Sequence, residues 1–218
     1  MAPIPHVERN IFCIGKNYAD HIAEFDKTAV PELPKYPMIF TKATTSVIGP
    51  DDLIDPHKNV TSALDYEGEL AVIIGKEGSD IPVGEAMDYV YGFTILNDVT
   101  ARDLQANHVQ WFHGKSLDTF CPMGPFLLLR DAAPDTFTVV TKVNGEVRQD
   151  ATTGEFIFTI PQLIQTLSQG TTLLPGDIIA TGTPSGVGVG FNPPKFIHSG
   201  DVVEISISDI GTLTNKVK

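Results

Sequence analysis

The chain has 218 residues, 42% hydrophobic and 19% charged, enough for a sizeable core in what reads as one domain over residues 1–218. Its net charge is −12 and no basic stripe is visible, which argues against nucleic acid and anionic membranes as partners. No apolar run is long enough to span a bilayer, the start lacks a signal core, and Cys13 and Cys121 are too few for a disulfide framework or a zinc ribbon, so a soluble, intracellular (cytoplasmic) protein is expected.

In chain order, strand-like runs cover residues 11–14, 38–41, 70–74, 89–97, 124–129, 136–143, 178–181 and 202–208. Short helices are predicted over 17–25, 100–107 and 161–168, the last with Pro161 at its start and Gly170 just past its end. Residues 26–37 read as a mobile loop. Asn144-Gly145 between two alternating runs is a strong two-residue hairpin signal. Strands in hairpins with few helices predict a mixed, β-rich α+β fold rather than a doubly wound sheet.

The segment "LDYEGELAVIIG", residues 64–75, sets Asp65, Glu67 and Glu69 at alternate positions. On a regular strand the three acids share a face, where like charges repel. The apolar run that follows shows no alternation and reads as a strand buried on both faces, so at least Glu69, with Glu67 the next candidate, points inward. A buried carboxylate needs a partner, and a bound cation is one. Asp98, at the end of the next apolar strand, is either a third oxygen ligand or a cap for the helix that follows. An all-oxygen set favours Mg²⁺, Mn²⁺ or Ca²⁺ over zinc.

Other candidates admit two readings each. His21 and Glu24 lie three apart on a helix face, as a general-base pair or an incidental one. Lys115 and Arg102 are either anion binders, for a substrate carboxylate or a developing enolate, or surface ion-pair partners. Residues 176–190, "GDIIATGTPSGVGVG", lack the lysine of a P-loop, the helix start of a dinucleotide fingerprint and the first glycine of a nucleophile elbow. Either this loop brings backbone amides and a threonine hydroxyl to a carboxylate, or it is a plain turn. Cys121, His108, His113 and Trp111 read as core or surface residues.

The ordered set "GKNYADHIAE", "DYEGELAVIIG", "LNDVTARDLQ", "GKSLDTFCPMGP" and "LLPGDIIATGTPSGVG" closely resembles the fumarylacetoacetate hydrolase superfamily over nearly the whole chain. The resemblance implies a mixed β-roll, usually homodimeric, with Mg²⁺ or Mn²⁺ bound. Glu67, Glu69 and Asp98 match its metal carboxylates, and Lys115 the lysine beside the metal. Arg102 and Gln105 match substrate-contacting positions, and Thr183 the threonine that reaches the substrate carboxylate. His21 and Glu24 match a catalytic dyad on a lid, which suits the loop over 26–37. The chain looks like a short, single-domain member, without the N-terminal domain of true fumarylacetoacetases or the upstream metal acid of some larger members. The activity implied is metal-dependent chemistry on a small 2-oxo acid, foremost C–C hydrolysis of an acylpyruvate. Oxaloacetate decarboxylation and keto–enol tautomerisation or isomerisation are the alternatives, sharing one metal-stabilised enolate.

Overall fold

The apolar run at 70–74 is the hub of the architecture. The computed structural model describes residues 9–25 and 32–218, so part of the loop expected over 26–37 lies outside the described residues. The first elements are β1 (Ile11–Gly15), α1 (Ala19–Phe25), β2 (Met38–Lys42), β3 (Val47–Ile48), β4 (Leu53–Ile54) and β5 (Leu64–Asp65). Next come β6 (Gly68–Ile74), β7 (Val90–Asn97), β8 (Thr100–Ala101), α2 (Arg102–Asn107), α3 (Phe112–Lys115) and β9 (Cys121–Leu129). The chain closes with β10 (Thr138–Val143), β11 (Glu146–Thr152), α4 (Ile160–Ser168), β12 (Ile178–Ala180), β13 (Val202–Ile207) and β14 (Gly211–Val217).

A seven-stranded mixed sheet runs β2-β1-β12-β6-β7-β9-β3, and a five-stranded sheet runs β11-β10-β13-β14-β4. Every residue of β6 is buried, as the unbroken apolar run predicts. Its Leu70, Val72 and Ile74 face the main core, where they meet Val139, Ile205 and Leu213 of the second sheet and Leu163 and Ile164 of α4. Ala71 and Ile73 point the other way into a smaller cluster with Cys13, Cys121 and Met123. Phe40 of β2 and Val47 of β3, on opposite edges of the larger sheet, both pack on that cluster. The sheet therefore curls into a roll, and the β-rich expectation holds.

Local signals survive in detail. Asn144 and Gly145 both take positive φ (52° and 79°), the turn that matches strand twist in a two-residue hairpin. Thr159 and Gln162 form a capping box at the start of α4, with proline in its first turn. Helix α2 starts at Arg102 with Ala101 as its N-cap, so Asp98 does not cap it. Strand β14 was not among the expected strands: its Thr212, Thr214, Asn215 and Lys216 dilute the apolar alternation that Leu213 and Val217 supply.

Candidate active site

The acids of residues 64–69 do not lie on one regular strand. β6 pairs with β7 with Glu69 opposite Leu96, while β5 pairs with β8 with Asp65 opposite Thr100. Between the two ladders the chain leaves regular pairing at Tyr66–Glu67 and at Asp98–Val99. The Asp98 amide donates to the Glu67 carbonyl (2.9 Å) and the Glu67 amide to Asn97 Oδ1 (3.1 Å), which tie the two breaks together. As a result Glu67, Glu69 and Asp98 converge, with carboxylate oxygens within 4.8 Å of one another and all three side chains buried. Asp65 parts from them. It accepts from the amides of Tyr66 (2.9 Å), Gly188 (2.7 Å) and Val189 (2.9 Å) and from Arg102 Nε (2.8 Å). The shared face expected for three acids is thus two acids plus a structural clamp.

Cations fill the floor around this triad. Lys115 Nζ bridges Glu67 (2.8 Å) and Asp98 (2.7 Å), Lys42 Nζ meets Asp98 at 2.5 Å, and Arg102 Nη1 meets Glu67 at 2.7 Å. Lys115 and Arg102 are therefore buried rather than surface ion-pair partners. Glu69 accepts from the Gly182 amide (2.8 Å) and has no ion-pair partner among the described residues. Burial, then the neighbouring Asp98 and Glu67 charges, push its carboxyl well above the ordinary range. Burial also works against the Glu67 carboxylate, but Lys115 and Arg102 more than offset it and hold that carboxyl at about 2. Burial lowers the Lys115 ammonium and the Asp98 and Glu67 charges raise it further, so it keeps its proton. Four buried carboxylates, Asp65 included, share three buried cations here, Lys42, Arg102 and Lys115. A divalent ion held by the triad would supply the charge that Glu69 lacks, and an all-oxygen donor set fits a hard cation.

A cavity of about 380 Å³ opens over the triad, lined among others by His21, Glu67, Glu69, Arg102, Gln105 and Lys115. Asp98 is fully buried and does not line it. His21 Nδ1 lies 2.9 Å from Glu24 Oε2 on α1, and Glu24 Oε1 accepts from the Gly186 amide (2.6 Å). The dyad is thereby docked on the glycine-rich loop. Gly186 has φ +101°, and a Cβ there would sit 1.8 Å from the Arg148 carbonyl oxygen. Gly186→Ala is expected to cost on the order of 2–4 kcal/mol of unfolding free energy. Urea unfolding reads this directly, and an unchanged midpoint would mean that the loop gives way freely.

A sequence profile described as fumarylacetoacetate (FAA) hydrolase C-terminal matches residues 10–218. The chain belongs to the fumarylacetoacetate hydrolase family. It is 56% identical over 218 residues to "Oxaloacetate tautomerase YisK" of Bacillus subtilis (strain 168), covering 99% of this chain and 72% of the relative. Among solved structures it is similar to a fumarylacetoacetate hydrolase (EaFAH) from psychrophilic Exiguobacterium antarcticum, with TM-score 0.89 and 49% identity over 98% of this chain and 76% of that one. A 2-hydroxyhepta-2,4-diene-1,7-dioate isomerase from Mycobacterium marinum matches with TM-score 0.84 and 41% identity, over 98% of this chain and 76% of that one.

In this member of the family, every residue picked out from the sequence for the site lines the cavity or adjoins a residue that does. Gln105 accepts from Arg102 Nη1 (3.2 Å). Thr183 lines the wall, yet its hydroxyl donates to the Gly68 carbonyl (3.0 Å) and accepts from Gln149 Nε2 (2.7 Å). It has to leave Gly68 before it can donate to a ligand carboxylate. Burial pushes the Cys121 thiol up to about 12 and the Cys13 thiol well above its usual value, so neither supplies a thiolate.

Several residues were missed. Lys42 ends an edge strand with no motif around it, although its ammonium is fully buried on Asp98. Gln149 reaches in from the second sheet to hold Thr183 and the Gly68 amide (3.0 Å). Trp111, read as core or surface, lines the cavity and stacks edge-on against Phe40, so close to Gly15 that a Cβ there would meet the indole at 2.7 Å. The one usable signal was the glycine in "GKNY", whose lack of a side chain admits the indole.

Proposed function

We propose that this protein is a divalent-metal-dependent tautomerase of small 2-oxo dicarboxylates of the oxaloacetate type, binding Mg²⁺ or Mn²⁺ through Glu67, Glu69 and Asp98. The observation that carries the chemistry is that His21, paired with Glu24, and two acids of the triad, Glu67 and Glu69, wall one cavity. Three reactions use such a set, and the high identity to a tautomerase, with a dioate isomerase among the structural relatives, favours proton transfer over C–C hydrolysis. Acylpyruvate hydrolysis, the foremost expectation from the resemblance, ranks second.

Glu67, Glu69 and Asp98 would hold the divalent ion, which when bound would supply Lewis-acid polarisation of the 2-oxo group. His21, its Nδ1–H directed to Glu24, takes the C3 proton of the keto form at Nε2. The C3–H electrons become the C2–C3 double bond and the C2 oxygen is protonated, so the overall change is one proton moved. Lys115 keeps its ammonium beside the developing negative charge. Arg102 Nη2 is buried with no hydrogen-bond partner among the described residues, a donor held for the carboxylate next to the 2-oxo group. A homodimer also suits the chain, since β2 is an edge strand with Met38 and Ile39 exposed beside Tyr36.

The test follows enol absorbance of oxaloacetate with Mg²⁺-loaded protein while pyruvate and CO₂ are quantified, with acetylpyruvate run in parallel. Enol loss without cleaved product is expected. His21→Asn is expected to lower kcat by roughly 10²–10⁴-fold with a small change in KM. Acetate plus pyruvate from acetylpyruvate, with oxaloacetate untouched, would replace this reading with hydrolysis.

A further inference from the structure

We propose that Lys16 is the residue that selects dicarboxylates, by binding the second carboxylate of the substrate at the rim of the cavity. This rests on the 2-oxo acid reading above. Arg102 and Lys115, the other lining cations, are tied to buried acids: Arg102 to Asp65 and Glu67, Lys115 to Glu67 and Asp98. Lys16 is the lining cation that makes no hydrogen bond or ion pair among the described residues, and it is solvent-exposed. A dicarboxylate whose 2-oxo end lies over the triad has one negative charge left at its far end, and Lys16 is the uncommitted positive charge in the wall.

The backbone carries the second part of the argument. Lys16 has φ 58°, the left-handed region where a residue with a Cβ is disfavoured and glycine is at ease. Asn17 enforces that turn. It is fully buried, and its Nδ2 donates to the carbonyls of Thr181 (2.8 Å) and Phe158 (3.1 Å) while its Oδ1 accepts from the Phe158 amide (2.8 Å). Glycine satisfies such a turn at lower cost, yet a long cation stands there, between β1 and the helix that carries the dyad. A strained position in a cavity wall, held by its neighbours and occupied by a side chain that nothing among the described residues uses, points to a ligand contact. The position also suits a protein of net charge −12, in which anions must be drawn in by local cations.

Two substrates of equal carbon count decide the matter: oxaloacetate, with a second carboxylate, and 2-oxobutanoate, with a methyl group there. Deuterium exchange at C3, followed by NMR with Mg²⁺-loaded protein, reads both. Lys16→Met is expected to raise KM for oxaloacetate about tenfold, as for one lost charge-assisted hydrogen bond at an exposed site. It should leave kcat and both constants for 2-oxobutanoate near the parent values, and Lys16→Arg should retain the preference. Lys16→Gly relieves the left-handed backbone and serves as the folded control if the methionine variant is unstable. Equal changes for both substrates, or none, overturn the proposal. If the parent protein turns over neither substrate, the tautomerase reading fails by itself. Calorimetric titration of the two acids into the Mg²⁺-loaded parent and Lys16→Met proteins then decides the role of Lys16. Selective weakening of oxaloacetate supports it and equal weakening overturns it.

Discussion

Glu69→Gln is expected to make the protein more stable in chelator and indifferent to Mg²⁺. The reasoning starts from burial: the Glu69 carboxyl is 1% exposed, faces the charges of Asp98 and Glu67, and has no ion-pair partner among the described residues. Its folded-state pKa therefore lies well above the 4.5 of an ordinary glutamate. Below pH 4.5 both folded and unfolded chains hold the proton and the group is neutral in effect. As pH rises further the unfolded chain releases the proton while the folded chain retains it, so stability is lost progressively until the folded-state pKa is passed. Glutamine does not titrate, and the advantage of the variant in chelator should grow as pH rises above 4.5, reaching roughly 1–3 kcal/mol. For a chain of this size that is about 2–4 °C in Tm per kcal/mol. Glu67 acts in the opposite sense. With its carboxyl held at about 2, it stabilises above 4.5 and loses that contribution as pH falls towards 2.

With Mg²⁺ the order reverses. The parent should gain about 2.7 kcal/mol at a hundredfold excess over Kd, and should release protons as Glu69 ionises, seen as a buffer-dependent calorimetric enthalpy. The variant should show neither, and its turnover should fall by more than the roughly 10–100-fold that loss of an outer partner causes. A variant that responds to Mg²⁺ like the parent would remove the triad from consideration as the metal site.

What the sequence could express was local. An unbroken apolar run sufficed for β6, Asn144-Gly145 for a hairpin, and Pro161 and Gly170 for the bounds of α4. The family pattern carried the site residues, because each stands in a short stretch of unusual composition. Apart from β14, whose alternation is diluted by polar residues, elements that escaped notice, such as β5, β8 and α3, are two to four residues long, too short for periodicity to register. Lys42 and Gln149 escaped, and Asp65 was grouped on one face with Glu67 and Glu69, for another reason. Their meaning lies in partners 56, 123 and 34 residues away, at Asp98, Gly188 and Thr183. An isolated lysine, aspartate or glutamine is ordinarily a surface residue, and only the tertiary fold reverses that expectation.

Asp65 provides the sharpest test of that point, because the alternation that drew attention to it put it on one face with Glu67 and Glu69, whereas the fold turns it away from them. Its two oxygens receive three amides and one guanidinium N–H, and its side chain is fully buried. Asparagine has the same shape but one acceptor oxygen, and its NH₂ must face donors that already point at it. Asp65→Asn is therefore expected to cost roughly 3–5 kcal/mol, the range for breaking one side of a buried charged pair. The damage should also spread into the cavity. Gly188 and Val189 are anchored by this carboxylate, Val189 lines the wall, and Arg102 is aimed by it at Glu67. A double-mutant cycle with Arg102→Met separates the ion pair from the amide anchors. If the pair dominates, the two losses overlap by 1 kcal/mol or more. If the loop amides dominate, the losses add, and Asp65→Asn alone should loosen hydrogen-exchange protection at Gly188 and Val189. A loss under about 1 kcal/mol would show that solvent reaches these donors and that the clamp is dispensable.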